Sequence, residues 1–507
     1  MTSPAKKEKT VLTIAVIGAG IGGMCTAARL AKAGHKVTVY EASSEVGGKC
    51  RTEWIGKYAF DTGPSLLTLP AVYRDFFQKT GAVMGRTLEL VPVNPSFDYR
   101  FSDGTSLAFA NLSRKETLDS IAVSLSHEAS QEWDRMMRIA ESMWDVSREP
   151  FVESELGSVM SLLKRPRLLR DLRIIAPWKT LRGLEIKNEK LRKILDRYAT
   201  YSGSDPRLAP AVLAAIAFVE EAFGVWHIKG GIGKLATAIH QRCVDLGVVF
   251  EMSSRVTEIT HNKNCVTGIR LNDGISHSYS SVVANADAGV VYNELIKGNV
   301  RKLRQPRKSI NKSEPSLAGF SLLLGLRPDS DAPTLKHHTI LFPENYDAEF
   351  DEIFTKKVPV DSPAIYICAP HDETMVKSAG HEGWFVLVNA PRHDSTKING
   401  WDWSDQNFNR EYAHKIIDQI EAQGISIRDR LEVLEIRTPA DLEARLGAPG
   451  GSIYGTSSNG ARSAFLRAKN RSALNGLYCV GGSAHPGGGL PLVGMSAEIV
   501  TQIILNK

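Results

Sequence analysis

The chain has 507 residues, 43% hydrophobic and 23% charged, with 62 Lys plus Arg against 56 Asp plus Glu for a net charge of +6. That balance excludes a fibrous or mainly disordered protein and is too mild to imply a nucleic-acid partner, while the length suits about three domain-sized units around a core that needs no staples. The six cysteines, at 25, 50, 243, 265, 368 and 479, include no C-x-x-C pair, so neither a zinc knuckle nor a redox dithiol is expected, and their sparseness fits a reducing cytosol.

The polar start MTSPAKKEKT leads into Val11–Ile17, an apolar stretch that runs straight into glycines and is no secretory h-region. It reads as a buried strand, Ile21–Ala33 as a helix ending near Gly34, and Lys36–Tyr40 as a second strand. Between them, Gly18-Ala19-Gly20-Ile21-Gly22-Gly23 fits G-x-G-x-x-G, with Glu41 following at the end of the second strand. Strand, glycine turn, helix and acidic residue together make a dinucleotide fingerprint. Gly18 permits the tight turn, Gly20 lets a pyrophosphate approach the backbone, and Gly23 lets helix and strand pack closely. The helix start offers free N–H groups and a partial positive charge to phosphate. Glu41 can accept hydrogen bonds from ribose hydroxyls and would repel a 2′-phosphate, which disfavours NADP. After Glu41 and Ala42, the pair Gly47-Gly48 allows a second loop of backbone N–H groups, and Lys49 and Arg51 add positive charge. A long cofactor that extends past its pyrophosphate needs such a second cradle.

Residues from about 68 to 225 read mostly as helices. In Ser130–Trp144 the apolar Trp133, Met136, Met137, Ala140, Met143 and Trp144 recur every three to four residues. Residues 164–197 carry 12 basic and four acidic side chains interleaved with Leu, Ile and Trp178. A basic amphipathic stretch of this kind suits an anionic membrane surface; the competing reading is a solvated helix face. The longest apolar run, Leu208–Val219, has 12 residues and is shorter than the ~20 that span a bilayer.

Near residue 230 the pattern returns to glycine turn, helix (Gly233–Leu246) and strands (Val248–Met252, Val282–Asn285). Four runs with strand character follow, Gly319–Leu326, Thr339–Phe342, Ala364–Cys368 and Trp384–Val388, then a helix with Phe408, Tyr412, Ile416 and Ile420 on one face. The last elements are a strand (Gly476–Val480), a glycine turn and a helix (Leu490–Leu505). We read an α/β protein: a discontinuous Rossmann-like domain (1–70, 226–290 and 470–507) with an inserted mixed α+β substrate domain (71–225 and 291–469). The helical part of the insert, about 110–225, is the expected membrane-associating part.

The run Glu41 to Thr52 resembles the second-glycine signature of the flavoprotein superfamily that contains amine oxidases, protoporphyrinogen oxidases and carotenoid desaturases. Four further stretches narrow the resemblance. Phe60-Asp61-Thr62-Gly63-Pro64-Ser65 is similar to the F-D-x-G-P segment of bacterial phytoene-type desaturases. Trp226 to Leu235 is similar to their mid-chain Y-P-x-G-G turn, with His227 and Ile228 departing from it. Thr438-Pro439-Ala440-Asp441-Leu442 is similar to T-P-x-D-[FL]. Gly481-Gly482-Ser483-Ala484-His485-Pro486-Gly487-Gly488-Gly489-Leu490-Pro491-Leu492 is similar to H-P-G-[AG]-G-x-P. The chain thus resembles FAD-dependent carotenoid desaturases over nearly its whole length. Its G-G-S and triple-glycine form is closer to desaturases acting on partly desaturated or hydroxylated carotenoids.

The resemblance implies FAD held by Gly18, Gly20, Ile21, Gly22, Gly23, Glu41, Ala42, Gly47, Gly48, Lys49, Arg51, Gly63, Pro64, Ser65, Val256, Gly481, Gly482, Leu490, Pro491, Leu492 and Met495. Val256 would meet the adenine half, and the loop from Gly481 to Met495 the ribityl chain and ring. Asp287 reads either as a flavin contact or as a strand-end cap. The implied reaction removes two hydrogens from a –CH2–CH2– unit of an acyclic carotenoid, such as phytoene or a later hydroxylated intermediate. A hydride leaves for flavin N5 and a proton leaves the neighbouring carbon. No residue stands out as the base; His485 is the one candidate, although a His beside Pro and Gly more often has a structural place. Alternatives on the same scaffold are a carotenoid cis–trans isomerase, a polyene saturase and, less favoured, a flavin-free lipid-carrying escort protein. There is no H-E-x-x-H for zinc, and Gly494-Met495-Ser496-Ala497-Glu498 lacks the last glycine of a hydrolase elbow. The expected partners are a carotenoid drawn from the bilayer and a membrane surface met through 164–197. The expected location is cytoplasmic, peripheral on the cytoplasmic face of the membrane.

Overall fold

The computed structural model describes residues 10–156, 168–330, 334–460, 463 and 467–506. Strand β1 (Thr13–Ile17) enters the Gly18–Gly23 turn, helix α1 (Ile21–Lys32) leaves it, and β2 (Lys36–Tyr40) returns beside β1 in parallel. Four of the five β1 side chains are buried, because helices cover the sheet. The whole sheet is parallel and runs in the spatial order 477–479, 281–284, 13–17, 36–40, 249–251. Three distant parts of the chain therefore build it. Helix Leu490–Leu505 and helix Gly233–Asp245 both pack on α1, whose Met24, Ala27, Ala28 and Leu30 are buried.

A second sheet of seven strands has the order 431–437, 318–326, 382–390, 365–368, 338–342, 97–101, 106–109. Its long strand Ala318–Leu326, next to the edge strand 431–437, is buried throughout. Phe320, Leu322, Leu324 and Leu326 meet Tyr412, Ile416, Ile417 and Ile420 of helix Gln406–Glu421, and Leu323 points to the other face, as a two-residue period requires. Helix His127–Arg148 buries Trp133, Met136, Met137, Ala140, Met143 and Trp144, the predicted face, and Ser126 caps it by accepting from Ala129 N. Burying a large apolar side chain contributes about 1.5–3 kcal/mol, so this face fixes the helix far more firmly than intrinsic propensity does.

The expectation that 68–225 is mostly helical needs one correction. Phe97–Phe101 and Ser106–Phe109 form a hairpin, and Phe97–Phe101 pairs in parallel with His338–Phe342. Phe97, Tyr99 and Phe101 alternate inward and are buried in one cluster with Trp133. Residues 71–80 form a helix whose Tyr73, Phe76 and Phe77 pack into the core of the first sheet. Thr438-Pro439-Ala440-Asp441 is a capping box with proline in the first turn, so this motif owes its residues to a helix start. No helix among the described residues is long and apolar enough to cross a membrane.

Candidate active site

Gly18 adopts φ +96°, and a Cβ there would lie 2.8 Å from Asn285 O; only glycine makes the turn in that space. Gly18 N donates to Tyr40 O at 2.8 Å and closes it. A Cβ on Gly23 would sit 2.3 Å from Gly18 O, so its absence lets α1 rest on the turn. Glu41 accepts from Ala19 N at 2.7 Å through Oε2 and from Ser43 N at 2.8 Å through Oε1. Each oxygen keeps a further lone pair for a hydroxyl donor. Ser254 N donates to Glu41 O at 2.7 Å, which brings the strand starting at Val256 beside the end of β2. The Val256 side chain itself is buried with Ile17 and Tyr40, whereas Ala42 is exposed.

The second glycine loop lies against the first. Gly47 N donates to Ala19 O at 2.8 Å, and a Cβ on Gly48 would stand 3.4 Å from Gly20 Cα. Lys49 Nζ donates to Ser452 O and Ile453 O, at 3.0 and 2.6 Å. Protein packed around Lys49 lowers its ammonium to about 8, opposed by Asp287, although its surface still opens to the trough. Arg51 turns back over its own loop, donating to Ser43 Oγ and Glu45 O and pairing with the Glu45 carboxylate.

The loop after strand Leu477–Cys479 closes the trough. A Cβ on Gly22 would lie 3.3 Å from Gly481 Cα, 3.1 Å from Val493 Cγ1 and 2.8 Å from Asn285 Oδ1. Asn285 Nδ2 donates to Gly18 O at 3.3 Å. The first and last glycine loops thus face each other across Asn285, a residue to which the sequence reading gave no role. Its signal was position: it follows strand Ser281–Ala284, the neighbour of β1, at the carboxyl edge of a parallel sheet, where such folds bind ligands. Gly482 O accepts from Arg467 Nη1 at 2.7 Å, and Arg467 also donates to Thr456 O at 2.9 Å. Burial lowers Arg467 to about 10, again with Asp287 opposing. Asp287 accepts from Gly289 N at 2.8 Å and so caps the short helix Ala288–Val290, three residues beyond the strand end. Lys49, exposed to the trough, and the buried Arg467 therefore bring two cations around one carboxylate.

Asp61 ties the remaining motifs together. Its Oδ1 accepts from Thr52 Oγ1 at 2.6 Å and from Ile232 N at 2.9 Å, so the F-D-x-G-P segment holds the mid-chain glycine turn. Gly63, Pro64, Ser65, Leu490, Pro491 and Leu492 all line one cavity of about 390 Å³ between the seven-stranded sheet and the helical layer. Met495 packs beside it against the same core. The wall is largely apolar, with Leu213, Ile216, Val219, Phe385 and Leu387 among its side chains. One polar patch interrupts it. Arg197 Nη1 donates to Tyr201 Oη at 2.7 Å, and Glu220 accepts from Tyr198 at 2.5 Å and Tyr201 at 3.2 Å. His485 is buried and its Nε2 lies 3.0 Å from Ser154 O. Burial lowers its pKa to about 4, and it is not among the described residues lining the cavity, so its contacts are those of an anchor.

Two stacked glycine loops, a carboxylate with spare lone pairs at the end of β2, and a helix start at Leu490 opening on the cavity fit a dinucleotide that continues into a flat ring. Side chains on Gly18, Gly20 or Gly22 would collide with Asn285, which stands between the two loops. The profile of flavin-containing amine oxidoreductases matches residues 21–314. A 1-hydroxycarotenoid 3,4-desaturase from a Flavobacterium species is 30% identical over 97% of this chain and 98% of its own. The chain belongs to the flavin-containing amine oxidoreductase family. Further members are a 4,4′-diaponeurosporene oxygenase from Staphylococcus haemolyticus, 29% identical over 97% of this chain and 96% of its own, and a 4,4′-diapolycopene oxygenase from Methylomonas, 29% over 97% and 98%.

Among solved structures, an oxidoreductase from Methanosarcina mazei shares the fold with a TM-score of 0.65 at 15% identity, covering 98% of this chain and all of its own. Cyclohexylamine oxidase from Brevibacterium oxydans does so with a TM-score of 0.60 at 15% identity, over 98% of this chain and all of its own. This family member is an FAD-dependent oxidoreductase of the carotenoid desaturase and oxygenase group. When bound, FAD supplies a two-electron oxidant. Glu41 would take the ribose, the turns at Gly18–Gly23 and Gly47–Gly48 the pyrophosphate, Gly481 and Gly482 the ribityl chain, and the helix start at Leu490–Leu492 the ring. Lys49 and Arg467 would favour negative charge there, Arg467 the more strongly because it is buried away from water.

Proposed function

We propose that this enzyme desaturates an acyclic carotenoid, removing two hydrogens from a –CH2–CH2– unit flanked by double bonds. The observation that carries this reading is the cavity itself: an apolar chamber whose wall includes both Gly63–Ser65 and the Leu490–Leu492 end of the last glycine loop. Its side chains hold a hydrocarbon chain against the cofactor and keep water away from a developing allylic cation. Tyr201, Tyr346, Tyr366 and Tyr454 line the same wall, and aromatic faces favour spread positive charge. The patch of Arg197, Tyr201 and Glu220 favours a substrate with a hydroxylated end group, since a buried polar cluster gains from an extra hydrogen-bonding partner. Purified holoenzyme given an acyclic carotenoid and its hydroxylated counterpart should convert the hydroxylated one faster, to a product lighter by two hydrogens with redder absorption. An unchanged mass would instead indicate isomerisation, a gain of two hydrogens saturation, and a gain of oxygen the chemistry named for the staphylococcal relative.

The same reading includes peripheral docking on a membrane, from which such a substrate must be drawn. Lys164, Arg165 and Arg167 lie outside the described residues. Of the other basic residues in 164–197, several are used internally. Arg182 pairs with Asp196 and Asp347, Lys190 with Asp103, Lys193 donates to Pro343 O and Glu344 O, Arg192 donates to Leu184 O and Ile186 O, and Arg197 lies in the cavity wall. What supports docking is narrower than the segment's total charge. Helix Leu168–Ile175 and the turn after it expose Leu169 (78%) and Trp178 (66%) beside exposed Arg170 and Arg173. Each apolar side chain contributes about 1.5–3 kcal/mol if buried in lipid. The Leu169→Ser/Trp178→Ser protein should therefore bind anionic vesicles at least about tenfold more weakly in co-sedimentation, with flavin content unchanged. Equal recovery of both proteins, or of wild type on neutral and anionic vesicles alike, would end this part of the proposal.

A further inference from the structure

Behind the cavity wall lies a cluster that the flavin chemistry does not use. Strands His338–Phe342 and Ile365–Cys368 run antiparallel with His338 directly opposite Cys368. One ligand atom each from His337, His338 and Cys368 falls within 4.8 Å of the other two. His338 is wholly buried, and Nε2 of both histidines is buried with no hydrogen-bond partner. Two orphaned ring nitrogens in one place are costly to leave unmet, because each has lost water and gained nothing. Tyr366 Oη lies 2.8 Å from His338 Nδ1. With Nδ1–H donating to that oxygen, Nε2 is left with its lone pair free for a ligand bond, the usual way an outer partner sets a ligand histidine.

We propose that His337, His338 and Cys368 bind a transition-metal ion of borderline or soft character, zinc or copper(I) by ligand type. Two imidazoles and a thiolate are the donor set such ions take, and hard cations would find no oxygen ligand among the three. Ligand atoms around zinc stand roughly 3.5 Å apart, so binding needs the cluster to tighten by about an ångström. Ligation exchanges the Cys368 thiol proton, which leaves to solvent, for the sulfur–metal bond. His227, the residue that departs from the Y-P-x-G-G pattern, packs its ring 5.0 Å from that of His337 and pairs with Asp372 at 2.8 Å. The ion would thus clamp two strands and the mid-chain glycine turn beneath Tyr366, which lines the cavity.

The test uses flavin-loaded enzyme, stripped with chelator, incubated with Zn²⁺ and dialysed, with metal and FAD counted in the same sample. About one zinc per chain is expected. The Cys368→Ser and His338→Ala proteins should hold at least tenfold less zinc at unchanged flavin content. X-ray absorption at the zinc edge of the unsubstituted enzyme, which needs no variant to fold, should show one sulfur and at least two nitrogen ligands. Zinc at background in the unsubstituted enzyme, zinc retained by the Cys368→Ser protein, or a zinc site without sulfur would each overturn the proposal, the first leaving a bound water as the cluster's occupant.

Discussion

Gly22→Val protein should purify colourless. The added side chain would begin 2.8 Å from Asn285 Oδ1, 3.1 Å from Val493 and 3.3 Å from the backbone of Gly481. It would therefore prise the last glycine loop from the first. Overpacking of this kind costs ~1–3 kcal/mol, which corresponds to a roughly ten- to hundredfold loss of affinity if it falls on the bound state. Flavin absorbance per polypeptide after gel filtration measures it. Gly85→Ala is the matched control, since its Cβ would meet nothing within 4 Å. A Gly22→Val protein that keeps a full complement of flavin would mean that the two loops do not share one cofactor.

The largest effect on stability should come from Arg197→Met. The guanidinium stands 4.6 Å from the Phe97 ring centre, 4.9 Å from that of Tyr201 and 5.1 Å from that of Tyr198, and 4.0 Å from Glu220. Removing it leaves a carboxylate buried without its counter-charge, a loss of ~3–5 kcal/mol. The double substitution Arg197→Met/Glu220→Met should be less damaging than the single one, because it removes both charges together. The sign of the pH dependence follows from Glu220. Burial already raises its carboxyl above the ordinary value, and losing Arg197 raises it further. The unfolded chain then binds fewer protons than the folded one between the two pKa values, so the deficit grows as pH rises and shrinks in mild acid. Thermal unfolding of the two variants and the wild type at two pH values checks this. A single variant as stable as wild type, or a double variant worse than the single, would show that the pair carries no such charge balance.

What could be read from the sequence was what is set locally. Helix Leu490–Leu505 and strand Lys36–Tyr40 have the predicted bounds, because glycine turns and apolar periodicity lie within a few residues of each end. The glycine loops were likewise legible, since a backbone that must approach a ligand leaves glycine where a side chain cannot go. The hairpin at Phe97–Phe109 was not, because its place depends on pairing with His338–Phe342, more than two hundred residues away. The basic segment promised more surface charge than it delivers for the same reason: Asp103 and Asp347, which take up Lys190 and Arg182, are remote in the chain. Asn285 carries no motif of its own and gains its position from the sheet. Short-range spacing rules passed over His338 and Cys368, which stand thirty residues apart and meet only as partners across two strands.

Because Gly481 and Gly482 seal a trough that opens at Gly18, a nascent chain leaves the ribosome with an incomplete vessel until residue 482 has been made. A coenzyme held there would tie residues 18–23 to residues 481–482, and so would stabilise the folded chain as any ligand that binds only the native state does. Prematurely terminated chains would lack the closing strand and expose the apolar flank of α1 that Leu490–Leu505 covers, marking them for proteolysis.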